Sequence, residues 1–372
     1  MSSFLSPQDS KRLHDYIAHV DAGIGHMIGY PMAIDFDYSE TYPLFAHELN
    51  NIGDPYIDPT HIAHSKEMER EVVEFYADLF RAPKNDRWGY VTGGGTEGNL
   101  YALYTAREAL PDAITVYSAA AHYSVEKAIH MLRMPSIKID TQPSGEIDYQ
   151  KLEHALGNYP NRAVIMVANI GTTMTEAKDN VQTIRNILAA QKVLHHYIHS
   201  DAAFAGIYTS LIRPRHPFDF ADGADSVSIS GHKFIGSPIP CGVIVTRKSH
   251  HDSLNRTIEY TGSPDATISG SRDGHTAVMM WYAIKRWGVE GFRKRAQESI
   301  ALADYTQERL MDIGYSVLRN PNTLTISFET PPETIRKKWQ LATEHGWSHI
   351  ICSPGMTRQQ IDDLVRDLTA PV

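Results

Sequence analysis

Residues 61–79 place Met68, Val72, Phe75, Tyr76 and Leu79 at helical spacing among charged positions, which predicts an amphipathic helix. From residue 88 the pattern changes to short apolar runs, most of them followed by a helix-length stretch. The runs fall at 88–92, 114–118, 136–139, 163–168, 197–200, 226–229 and 242–246, with helices predicted at 96–110, 122–132 and 179–191. The run at 163–168, Ala-Val-Ile-Met-Val-Ala, has no polar face, as expected of a parallel strand buried on both sides. Strands alternating with helices over residues 88–250 predict a mostly parallel sheet covered on both faces. Long helices follow at 275–287 and 291–313. The tail, 315–368, reads strand, strand, helix, strand, helix, with Val317, Leu324, Ile326 and Phe328 as sheet residues and helices at 339–345 and 359–368. The fold class is α/β: a helical or extended segment over 1–60, a large α/β domain over 61–290 and a small C-terminal α+β domain over 291–372. No repeat of ~20–50 residues is present, which excludes solenoids and propellers.

Composition narrows the function classes. Across 372 residues, 42% are hydrophobic and 21% charged, a globular balance. The formal charge of -9 leaves no basic footprint for nucleic acid and disfavours anionic membranes. No stretch approaches the ~18 apolar residues of a membrane span. Asp9, Asp15 and Asp21 argue against a secretory signal at the N-terminus. Cys241 and Cys352 cannot build a disulfide framework, so a cytoplasmic protein is expected, with Cys241 as a small buried residue. His195, His196 and His199 lack a second ligand cluster at zinc spacing, so no metal is expected.

Three segments carry chemistry. Gly93, Gly95 and Gly98 formally satisfy G-x-G-x-x-G, a dinucleotide spacing that also wants an acid ~20 positions on. The nearest, Asp112, follows Pro111 in a predicted loop. A helix opening at Thr96 after Gly94 and Gly95 suits a phosphate monoester instead, because its first N–H groups are free and its dipole end is positive. The same residues also read as a plain cap with Thr96 at the N-cap. Asp201 stands just past an apolar strand, where crevices open in α/β sheets, or else caps the next helix. Lys233, between His232 and Phe234, suits a Schiff-base lysine of lowered pKa, or a salt-bridged one. Ser230 and His232 can both donate to a phosphate. In order, phosphate cup, Asp201 and Lys233 make the set a pyridoxal 5′-phosphate enzyme needs. Lys233 would hold the aldehyde as an imine, and Asp201 would keep the pyridine nitrogen protonated.

The chain resembles the group II pyridoxal-phosphate amino-acid decarboxylases, nearest the short bacterial histidine decarboxylases and then the plant serine decarboxylases. The stretches that carry the resemblance are NIGDPYI (51–57), WGYVTGGGTEGN (88–99), AHYSV (121–125), SGEID (144–148), ANIGTT (168–173), SGHKFIGSPIPCG (230–242) and ISGSRDGH (268–275). They cover about residues 28–290 in one register. The resemblance implies an aspartate-aminotransferase-type (fold type I) architecture with a seven-stranded sheet. It implies that His122 stacks on the cofactor ring and meets substrate, and that Ala203 lies against the opposite face. It places Thr172 and Thr173 near the ring hydroxyl, and Gly94, Gly95, Thr96, Ser230 and His232 around the phosphate. Gly270 and Ser271 would reach the phosphate of a neighbouring subunit. A homodimer with shared sites, or a tetramer, is therefore implied, with the N-terminal helix and the Gly29-Tyr30-Pro31 segment clasping the partner and Tyr30 near substrate. The expected reaction is decarboxylation of L-histidine to histamine; L-serine giving ethanolamine is the alternative substrate, and a Rossmann-type oxidoreductase would leave Lys233 and Asp201 idle. Tyr260 is a possible proton donor to the carbanion.

Overall fold

The computed structural model describes residues 5–252, 254, 256–258 and 263–370. Helix α1 (Pro7–Ile24) is opened by Ser6, whose hydroxyl accepts from the Asp9 N–H at 3.1 Å. A short 3-10 turn (Ser39–Ala46) leads to α2 (Lys66–Leu79). The large unit then runs β1 (Trp88–Thr92), α3 (Gly95–Ala109), β2 (Ile114–Ser118), α4 (Tyr123–Met131), β3 (Ser136–Ile139), α5 (Tyr149–Gly157), β4 (Val164–Asn169), α6 (Val181–Ala190), β5 (His196–Asp201), α7 (Gly206–Leu211), β6 (Ser226–Ser230) and β7 (Gly242–Thr246). Its sheet has seven strands in the order β1-β7-β6-β5-β4-β2-β3. Strands β2 to β6 pair in parallel, and β7 runs antiparallel to both neighbours.

The apolar run at β4 has a direct explanation. Val164, Met166 and Ala168 enter one core with Ile198, while Ile165 and Val167 enter a second core with Tyr197. Alternate side chains point to opposite faces, so a strand covered on both sides is apolar at every position.

A short helix α8 (Lys248–His251) and the pair β8 (Arg256–Ile258) and β9 (Ser263–Asp265) precede α9 (Gly274–Asp312). The two helices expected at 275–287 and 291–313 are one 39-residue helix broken at Gly288, whose φ of 56° favours glycine. A four-stranded antiparallel sheet follows, order β10-β11-β13-β12, from β10 (Val317–Leu318), β11 (Thr325–Glu329), β12 (Thr343–Glu344) and β13 (Trp347–Ile351). It packs with α10 (Glu333–Lys338) and α11 (Arg358–Thr369) around Leu302, Leu310, Ile326, Phe328, Trp339 and Leu364.

Two expectations are corrected. The helix over 61–79 begins only at Lys66, because Ser65 is held outside it: Ser65 N–H donates to Asn51 Oδ1 at 2.8 Å and its hydroxyl to Gly274 O at 2.7 Å. The segment 339–345 is not a helix. Trp339 is buried in the small core with its Nε1 on Asp367 at 2.7 Å, and Gln340 and His345 both take positive φ, so the chain turns into β12 instead.

Candidate active site

The carboxyl ends of the parallel strands open into a cavity of about 440 Å³. Its wall includes Gly94, Gly95, Thr96, His122, Thr172, Asp201, Ala203, Ser230, His232, Lys233 and Tyr30, positions far apart in the chain. Gly270 and Ser271 do not line the cavity of their own chain. Their turn is exposed and pinned beside α2: Asn50 Nδ2 donates to Ser271 Oγ at 3.1 Å, and the buried Arg272 guanidinium pairs with Glu69 and reaches Gly53 O at 2.9 Å. Tyr260 lies outside the described residues.

The glycine loop leaves the first N–H groups of α3 at the cavity, an arrangement that would suit an anion. Gly94, not Thr96, is the N-cap of α3, at φ 143° and ψ 178°, a backbone open only to glycine. Thr96 therefore sits inside the first turn. The Glu97 carboxylate reaches back to the Gly93 N–H at 2.7 Å and accepts from the Tyr90 hydroxyl at 2.9 Å, which fixes the loop. A Cβ on Gly95 would stand 2.9 Å from Ser230 Oγ and 3.4 Å from Ala203 Cβ, so only glycine lets the helix end approach β6 this closely. Asp112, the acid a dinucleotide site would need, is exposed in the turn after α3.

Asp201 ends β5 and is buried at 6% exposure. Its Oδ2 accepts from Asn99 Nδ2 at 2.7 Å and its Oδ1 from the Ala203 N–H at 3.2 Å. Lys233 lies in a single irregular turn, Gly231–Ile235, directly after β6. Burial lowers the pKa of its ammonium, an effect that the nearby Asp201 charge partly offsets. His122 is the N-cap of α4, accepting from the Ser124 N–H at 3.3 Å; burial lowers its pKa, and Asp201 opposes that shift. Thr172 closes the loop after β4, its Oγ1 accepting from the Ala177 N–H at 2.9 Å.

The sequence reading missed Asn99, Ser124, Asn169, Thr325 and His349, all in the same wall. Asn99 had a signal, since it stands almost one helical turn beyond Thr96 and so on the same face of α3. Thr325 and His349 come from the small sheet, and no local pattern marks them.

The profile of the pyridoxal-dependent decarboxylase conserved domain matches residues 40–330. The chain belongs to this family. It is 44% identical over 365 residues to a histidine decarboxylase of Mesorhizobium japonicum, covering 98% of this chain and 99% of that protein. It is 39% identical over 367 residues to a histidine decarboxylase of Vibrio anguillarum, covering 98% and 95%. Among solved structures, L-methionine decarboxylase from Streptomyces sp. 590 matches with a TM-score of 0.90 at 23% identity, covering 98% of this chain and 96% of that one. A glutamate decarboxylase of Lactobacillus brevis matches with a TM-score of 0.81 at 20% identity, covering 100% and 95%. At these identities the structures bear on the fold, which is that of fold type I pyridoxal-phosphate decarboxylases.

The cofactor of this pyridoxal-dependent decarboxylase is pyridoxal phosphate, and the residues present fit it. The glycine-lined helix end would suit a phosphate, the buried Asp201 carboxylate would suit a protonated ring nitrogen, and Lys233 would offer the amine. The cavity lies within the ~300–1,000 Å³ range of small-ligand sites.

Proposed function

We propose that this decarboxylase converts L-histidine to histamine and carbon dioxide. The observation that carries the reading is that Lys233, Asp201 and the glycine cradle of α3 share one cavity, in a chain 44% and 39% identical, over 98% of its length, to two histidine decarboxylases. When bound, pyridoxal phosphate supplies a protonated ring that takes up the electron pair left by the departing carboxylate. In this reading Lys233 holds the cofactor's carbonyl carbon; its lowered proton affinity increases the share of free amine. Asp201 keeps the proton on the ring nitrogen. Gly94, Gly95, Thr96, Ser230 and His232 hold the phosphate, and Thr172 and Ala203 bound the ring. His122, uncharged through burial, orients the substrate, with Tyr30 at the cavity mouth. Holding the scissile bond in the one productive orientation is the main task of these walls, and orientation effects of this kind reach several kcal/mol.

We further infer a homodimer. Helix α1 buries none of its residues, and Leu13, Tyr16, Ile17, Val20 and Ile24 leave an apolar stripe 37–64% exposed. A second copy covers this stripe, and Gly270 and Ser271, outside their own cavity, serve the partner's phosphate. Among the described residues no helix is long and apolar enough to cross a membrane. Both cysteines are buried and unpaired, which suits the cytoplasm.

The test is carbon dioxide release from each of the twenty amino acids by the purified holoenzyme. Histidine should give the highest kcat/KM; a higher value for serine, or none for any amino acid, overturns the proposal. Lys233→Ala should abolish both the visible cofactor band and turnover.

A further inference from the structure

We propose that Asn99 is the positioning residue of this site: its amide, gripped at both ends, dictates which atom of His199 carries the proton and keeps a donor on Asp201. The argument is a proton inventory. Asn99 Nδ2 lies 2.7 Å from Asp201 Oδ2 and 2.9 Å from Ser124 Oγ. Asn99 Oδ1 lies 2.9 Å from His199 Nε2 and 3.1 Å from Ser228 Oγ. An ionised carboxylate only accepts, so the NH₂ group must face Asp201. With the amide turned over, Oδ1 would meet a carboxylate oxygen at 2.7 Å, and that is tolerable only if Asp201 holds a proton.

With the amide set, the rest follows in order. Oδ1 accepts, so His199 Nε2 must donate to it. His199 Nδ1 is then bare and accepts from Ser226 Oγ at 2.8 Å. On the other arm, Ser124 Oγ accepts from Asn99 and its own proton goes to His122 Nδ1 at 2.7 Å. The Ser124 backbone N–H, 3.3 Å from the same nitrogen, independently requires that His122 Nδ1 be an acceptor. The proton of neutral His122 is therefore on Nε2. His199, Ser226 and Ser228 are fully buried, and Asn99, Ser124 and Asp201 are buried in the cavity wall. One amide thus ties the state of Asp201 to the tautomer of His199, while the Ser124 backbone N–H holds that of His122. A protonated Asp201 would let the Asn99–His199 arm reverse, and the ring-nitrogen partner would be lost with it.

This deepens the decarboxylase reading and rests on it for the role of Asp201, but the protonation pattern can be read without turnover. The experiment is long-range ¹H–¹⁵N correlation spectroscopy on cofactor-free protein labelled in the histidine rings. His122 and His199 are assigned from the variants His122→Asn and His199→Asn. Both rings are expected as the Nε2–H tautomer at neutral pH; His199 found as Nδ1–H overturns the proposal without touching the function. In the holoenzyme, Asn99→Asp keeps the shape and removes the donor. It should lower kcat about 10- to 100-fold, the size of one hydrogen bond to a charged group, with little change in KM. A role in packing alone predicts near-normal kcat in Asn99→Asp, and that result also overturns the proposal. Should Asn99→Asp not fold, the tautomers of the unaltered protein decide the matter. If no amino acid is decarboxylated while both tautomers are as stated, the function is refuted and the protonation pattern stands.

Discussion

Replacing Glu176 by alanine tests whether the small sheet holds the cavity wall in place. Glu176 is fully buried at φ 53° in the loop after β4. Its carboxylate accepts from the Leu324 N–H at 3.0 Å, just before β11, from the Thr325 hydroxyl at 2.7 Å, the first residue of β11, and from the Tyr208 hydroxyl. The Lys178 ammonium stands 3.8 Å away. The same loop closes on a cavity residue, with the Glu176 N–H donating to Thr172 O at 2.8 Å. Truncation strands the Leu324 N–H, at ~1–3 kcal/mol for a buried unpaired donor. It also leaves Lys178 without its counter-charge, at ~3–5 kcal/mol for a broken buried pair. Lys178 keeps Asn322 O at 3.0 Å, so the larger figure is discounted. The expected loss is about 3–5 kcal/mol in all, or about 1–2 M in the urea midpoint at a slope of ~3 kcal/mol/M. Urea unfolding followed by tryptophan fluorescence measures it, alongside the rate of cofactor loss, which should rise because the loop that carries Thr172 is no longer anchored to Leu324 and Thr325. A midpoint within about 0.3 M of the unaltered protein, with cofactor loss unchanged, would refute the reasoning.

Three further outcomes are expected. Asp201→Asn should keep the cofactor band while kcat falls at least about 100-fold, since a neutral amide cannot hold the ring-nitrogen proton; near-normal turnover would remove Asp201 from the mechanism. Gly95→Ala puts a Cβ 2.9 Å from Ser230 Oγ, so it should weaken cofactor binding about tenfold, at a strain of ~1–3 kcal/mol, while the apo fold survives by circular dichroism. His199 is fully buried, and burial lowers its pKa from 6.5 to about 4. The unfolded chain binds the proton first, so stability should fall as pH drops from 6.5 towards 4, by about 3 kcal/mol in total. Urea midpoints across that range check this, and a His199→Gln variant with the same acid slope would assign the effect elsewhere.

Periodicity determined the strands and the large sheet, because a strand covered on both faces must be apolar at successive positions, and β4 is. Local chemistry determined the candidate groups: a glycine cluster before a helix, an acid at a strand end and a lysine after one carry their signals within about ten residues. The helix at 61–65 and the helix at 339–345 were misread because apolar spacing says nothing about what a side chain will meet. Ser65 is drawn to Asn51 and Gly274, and Trp339 into a core with Phe328 and Leu364. Asn99 was half legible, by its place on the Thr96 face of α3, yet its partners Asp201, Ser124, His199 and Ser228 are 25 to 129 residues away. Thr325 and His349 at the cavity, and the Glu176 clamp behind it, belong wholly to the tertiary structure. Such contacts pair residues far apart in the chain, and only the folded backbone sets which polar group finds which partner once water is excluded.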